Sequence, residues 1–82
     1  MNIANEMIRE VVLEVPAGHR HLRTTLVLHD GAEVVFQEAT IANMVRAYIT
    51  MKTHPQRTTM RLKGKTLQDR KPGFAGYQLL ED

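Results

Sequence analysis

The chain has no cysteine, no serine and no tryptophan, and each absence removes a class of chemistry. Without thiols there are no disulfides, no zinc–thiolate centres and no cysteine nucleophile, and the composition suits a reducing cytosol. Without serine every serine-hydrolase arrangement is excluded, while eight threonines lean the composition toward β structure. Four aromatic residues, Phe36, Tyr48, Phe74 and Tyr77, are all that 82 residues offer a core, so aliphatic side chains and five methionines must fill the rest. No run approaches the ~20 apolar residues that span a bilayer. The first seven residues lack a basic segment and a long apolar one, so no secretory leader is expected and the chain reads as cytoplasmic. The familiar enzyme signatures are missing as well: there is no phosphate-binding loop, dinucleotide fingerprint, His-Glu-x-x-His pair or nucleophile elbow.

Charge is present and sorted by position. Residues 41–73 hold eight cations (Arg46, Lys52, Arg57, Arg61, Lys63, Lys65, Arg70 and Lys71) against Asp69 alone, for a net of +7. Residues 1–40 carry three cations against six carboxylates, net −3, and Glu81 and Asp82 close the chain at −2. The formal +2 of the whole chain therefore hides one strongly basic zone. Within it Arg57, Thr59, Arg61, Lys63 and Lys65 fall at every second position, a period that points side chains to one face of a strand.

The pattern predicts a single small α+β domain over residues 1–82, with a mixed five-stranded sheet and one amphipathic helix in the order βββαββ. A first strand is expected at about 7–15, stopped by Pro16, although Asn5 and Glu6 also suit the start of a short helix. Residues 16–21 read as a loop. Strands 22–29 and 32–38 flank Asp30-Gly31, a favoured pair for a two-residue type I′ turn. That turn pairs His29 with Ala32, Val27 with Val34 and Thr25 with Phe36, and it leaves apolar residues on both sides of the hairpin.

Thr40 is the expected N-cap of a helix whose apolar stripe is Ile41, Met44, Val45, Tyr48 and Met51 or Lys52. Asn43, Arg46, Thr50 and Thr53 are expected to look outward. Pro55 biases His54 away from helical geometry, so the helix ends by about Thr53. A strand, this helix and a further strand suggest a right-handed crossover with parallel strands. The fourth strand is expected at 57–63, with Thr58, Met60 and Leu62 inward. A basic loop at 65–73 and a last strand at 77–80 complete the order.

Three constellations bear on function. Arg57, Arg61, Lys63 and Lys65, with Arg70 and Lys71 in the next loop, form a nucleic-acid-binding candidate, because cations spaced ~6.6–6.8 Å apart along a strand match a phosphate backbone. Phe74 and Tyr77 are the candidate base-stacking residues; a solvated strand that blocks edge aggregation, with both rings in the core, is the competing reading. His19 and His21 in the loop, with His29 or Glu33, are weighed as metal ligands, but Arg20 between them opposes a cation and the spacing of established motifs is absent. His29-Asp30 is weighed as an acid/base pair and reads better as turn chemistry. No catalytic residues, metal or cofactor are therefore expected. The favoured function is a non-enzymatic module holding an acidic partner, nucleic acid first. The alternative is a small homodimeric protein-interaction domain whose basic face serves solubility, and a small enzyme at a dimer interface is the weakest reading. A homodimer is expected in any case, since so short a chain with so few aromatics has a thin core.

Overall fold

The run Thr24 to Leu28 becomes part of a central strand. In the computed structural model, which describes residues 1–68 and 76–81, it lies in β2 (Arg23–Leu28), flanked by β1 (Ile8–Glu14) and β3 (Glu33–Gln37). The sheet order is β1-β2-β3 and both pairings are antiparallel. A 3-10 turn at Asn5–Met7 precedes β1, closed by the Met7 N–H donating to the Ala4 carbonyl at 3.0 Å. Asn5 lies inside this turn and does not cap it: the N-cap position is Ala4, with no side-chain hydrogen bond. Between β1 and β2 the His19 N–H donates to the Pro16 carbonyl at 3.0 Å, and Gly18 adopts φ +81° within that turn.

The second hairpin turns differently from the type I′ expectation. No non-glycine residue in the described chain has positive φ, so Asp30 does not, whereas Gly31 sits at +91°. The Gly31 N–H donates to the Leu28 carbonyl at 3.0 Å, and the Leu28 N–H donates to the Ala32 carbonyl at 2.9 Å. This is a three-residue loop of His29, Asp30 and Gly31 that ends on a left-handed glycine. It relieves Asp30 of the positive φ that a type I′ turn demands. It also lets Asp30 Oδ1 accept from the Ala32 N–H at 2.8 Å.

The register therefore moves by one residue: Leu26 opposes Val34, Val27 opposes Glu33, and Thr24 opposes Phe36. The expected Val27–Val34 and Thr25–Phe36 pairs do not form. A one-residue shift reassigns faces. Leu26, Leu28, Val34 and Phe36 now share one side of the hairpin, and Thr25, Val27, Glu33, Val35 and Gln37 the other. Both sides of the hairpin still carry apolar residues, with Val27 and Val35 on the more polar one. Thr24, Val27 and Leu28 are the buried residues of β2. β1 bulges between Ile8 and Glu10 as it pairs with β2.

The chain divides into two compact units, Met1–Glu38 and Ala39–Asp82. The second contains nearly all of helix α1 (Glu38–Thr53) and an antiparallel hairpin of β4 (Leu62–Thr66) and β5 (Tyr77–Glu81). The α+β class and the order βββαββ are as the sequence predicts. A single mixed sheet is not. The strands form one three-stranded and one two-stranded sheet, every pairing is antiparallel, and β3 and β4 are not joined by a parallel crossover. The reason is local. β3 finds β2 and β4 finds β5 across short-range hairpins, which cost less loop entropy than a crossover.

Glu38, not Thr40, opens α1, following β3 directly at the end of the helix where a carboxylate suits the macrodipole. The helix ends at Thr53 as expected. The Thr53 hydroxyl donates to the Ile49 carbonyl at 2.9 Å, and His54 Nδ1 donates to the Thr50 carbonyl at 2.9 Å, so two side chains satisfy the last turn. A turn through Pro55 follows, closed by the Arg57 N–H on the His54 carbonyl at 2.9 Å.

Candidate interaction site

The basic strand is the first candidate, and the structure breaks its regular row. β4 begins at Leu62 instead of residue 57, because its partner β5 has five residues and its last, Glu81, pairs with Leu62. Thr58, Thr59, Met60 and Arg61 precede the strand. Only Lys63 and Lys65 of the predicted row share a strand face, beside Leu80 and Gln78 of β5. Arg57 lies before the strand and binds the Glu81 carboxylate: Nη1 is 3.4 Å from Oε2, and Nη2 pairs with Oε1. Hydrogen bonding to Glu81 raises the Arg57 pKa above its ordinary value, with a coulombic contribution from the same carboxylate working against some desolvation. Arg61 is exposed. Arg70, Lys71 and Phe74 lie outside the described residues.

Tyr77, a stacking candidate, opposes Thr66 on the other face of the β4–β5 hairpin from Lys63 and Lys65. Its ring lies over Gly64. A Cβ built there would collide with Oη and Cζ and stand 2.8 Å from Cε1. Tyr77 as a whole is 61% exposed. Among the described residues the aromatic and the two strand lysines thus face opposite ways.

The histidines are dispersed. His21 Nδ1 donates to Glu38 Oε2 at 2.9 Å, and the same oxygen takes the Leu22 N–H at 3.4 Å, fastening the loop before β2 to the first residue of α1. The His29 N–H donates to the Met7 carbonyl at 3.1 Å, just beyond the paired ends of β1 and β2. Among the described residues no three His, Asp or Glu side chains converge as a metal site would require. No described helix is long and apolar enough to cross a membrane.

The second candidate is a surface that the sequence places on the wrong side of α1. Met44, Val45, Tyr48 and Ile49 are each about half or more exposed (50%, 49%, 63% and 54%). The buried helical residue is Asn43, at 4%. Thr50, expected outside, is half-buried, as are Ala39, Thr40 and Ala47. Arg46 and Thr53 do face solvent. At ~100° per residue Asn43, Ala47 and Thr50 lie on one side of the helix, and Ile41, Val45, Tyr48 and Ile49 on the other. Of the expected stripe Ile41 and Met51 are half-buried, whereas Met44, Val45 and Tyr48, with Ile49 beside them, face water; Asn43 and short side chains occupy the covered side. Periodicity identifies which residues share a face; it does not say which face is covered.

No family model matches the chain, and no curated protein or solved structure matches it either.

Proposed function

We propose that this chain is a non-enzymatic protein-interaction domain that works as a homodimer in the cytosol. One observation carries the reading: Met44, Val45, Tyr48 and Ile49 of α1 are exposed side by side, while the buried apolar residues among those described are Val27 and Leu28 of β2. Scattered apolar residues at a surface are ordinary, but a contiguous stripe marks an interaction site. Sedimentation equilibrium at tens of micromolar tests it, with twice the 9.4 kDa chain mass as the expected result. A monomer with a high, concentration-independent melting temperature overturns it.

A second reading has its own support. Residues 39–82 carry eight cations against three anions, net +5, whereas residues 1–38 carry three against six, net −3. Charge thus divides along the same boundary as the two units. Lys63 and Lys65 share one face of β4 within the basic unit, and nucleic acid is the acidic partner of matching chemistry. Arg57 is engaged by Glu81 and lies before the strand, so of the predicted row Lys63 and Lys65 are the cations that share a strand face. Log affinity for an oligonucleotide against log salt should then slope by roughly −1.5 to −2, and Lys63→Gln with Lys65→Gln should flatten it. Fluorescence anisotropy across a salt series reads both. No binding at low salt leaves the basic unit a solvated surface.

A further inference from the structure

We infer that the occupant of the exposed α1 stripe is a second copy of this chain, whose own α1 packs antiparallel on it about a two-fold axis at Val45. The inference rests on the homodimer reading and names its contact.

Shape and charge select this arrangement. Half-buried Ile41 and exposed Ile49 lie four residues either side of Val45, so an antiparallel helix centred there sets Ile41 against the partner's Ile49 and repeats the contact by symmetry. Tyr48 falls opposite the partner's Ala42, an exposed small residue that leaves room for the ring. The stripe from Ile41 to Ile49 spans about 12 Å, a little over two turns. Its ends are charged with opposite sign: Glu38 stands in the first turn and Lys52 in the last. Antiparallel packing brings each Lys52 to the partner's Glu38 and opposes the two macrodipoles favourably, whereas parallel packing sets lysine beside lysine. Lys52 already leans over the Tyr48 ring, with Nζ 5.9 Å from the centroid, so cation and aromatic sit together at the same end of the stripe. Hydrogen bonds from His21 and Leu22 hold the Glu38 carboxylate at its position.

The contact is small. A standard interface takes ~800 Å² from each partner, and one face of a four-turn helix gives less, so the dissociation constant should fall on the order of micromolar.

The absence of cysteine makes the test direct. A residue on a two-fold axis meets its own copy, so Val45→Cys should form an intermolecular disulfide under mild oxidation. Val35→Cys, on β3 and 53% exposed, should stay monomeric under the same treatment. In the cysteine-free chain, Ile49→Asp should weaken self-association about 100-fold or more while leaving the circular dichroism spectrum unchanged, since a carboxylate would be buried in the contact. A wild-type dimer in which Val45→Cys fails to cross-link, or cross-links no better than Val35→Cys, overturns this contact and leaves the homodimer standing. Unchanged association of a folded Ile49→Asp chain overturns it equally. A wild-type monomer at about 100 µM, far above the expected dissociation constant, removes both contact and homodimer.

Discussion

The two units of this chain differ in where apolar side chains are buried, although both also expose some: Val11, Leu13, Val15 and Val35 in the first, Met44, Val45, Tyr48 and Ile49 in the second. In Met1–Glu38 the hydrophobic run of β2 takes the centre of a three-stranded sheet, where Thr24, Val27 and Leu28 are buried. In Ala39–Asp82 the stripe of α1 is exposed and Asn43 is the buried helical residue. The first unit is acidic and the second basic. A central strand has a neighbouring strand at each edge, whose side chains flank its own on both faces. A helix has no such neighbour built into its hydrogen bonding, and a two-stranded hairpin is too small to guarantee one. What the comparison teaches is that in the second unit four large apolar side chains of α1 lie at the surface, whereas the buried apolar residues lie in the first.

The largest expected effect breaks that comparison if it fails. Leu28→Ala should lose about 2–4 kcal/mol of stability, because it deletes a 7%-exposed side chain from the central strand. Ile49→Ala, at 54% exposure, should cost no more than about 0.5 kcal/mol in dilute protein. Thermal or urea melts of the two variants decide it. Equal losses at low concentration would show that the α1 stripe is packed within the chain. A cost for Ile49→Ala that grows with protein concentration would instead sharpen the contrast, since only an association-dependent contact behaves so.

Gly31→Val comes next, at about 1–2 kcal/mol. Nothing lies within 4 Å of a Cβ added at Gly31, so the entire cost is the backbone at φ +91°. Gly31→Asn should recover part of it, because asparagine tolerates left-handed geometry. A Gly31→Val chain that melts with the wild type would mean that the three-residue loop rearranges to avoid positive φ.

This loop also shows how far the sequence could be read. Asp30-Gly31 announces a hairpin, but the pair serves both a two-residue type I′ turn and a three-residue loop ending on a left-handed glycine. The choice turns on whether Asp30 must take positive φ, and on the Asp30 side chain satisfying the Ala32 N–H. Those are energies of about a kilocalorie, invisible in a residue pattern. The end of α1 at Thr53 was legible because Pro55 acts on its immediate neighbour. The start of β4 was not, because a strand begins where its partner can reach, and β5 reaches only Leu62. The candidate basic row failed for the same reason: period-two spacing places cations on one face only inside a strand, and Arg57 and Arg61 lie before it. The Arg57–Glu81 pair joins residues too far apart in sequence for any spacing rule to connect.

The smallest expected effect compares glycines across the two units. Gly31 is required by its own backbone, whereas Gly64 is required by a ring, that of Tyr77. Gly64→Ala would drive a methyl into Oη and Cζ, but Tyr77 is 61% exposed and its ring can rotate outward. The cost is then the contact between ring and strand backbone, partly offset by the lower backbone entropy of alanine in the unfolded chain. A net loss of about 0.5–1 kcal/mol is expected. In a Tyr77→Ala background the same substitution should become neutral or stabilising, so the double-mutant cycle should return a coupling of roughly 0.5 kcal/mol or more. Additive losses would show that the Tyr77 ring does not rest on Gly64 in solution. The ring would then be available on the β4–β5 surface as a stacking group, on the face opposite Lys63 and Lys65. That outcome would leave the ring as a stacking group apart from the two lysines, so a base stacked on it would not share a face with Lys63 and Lys65.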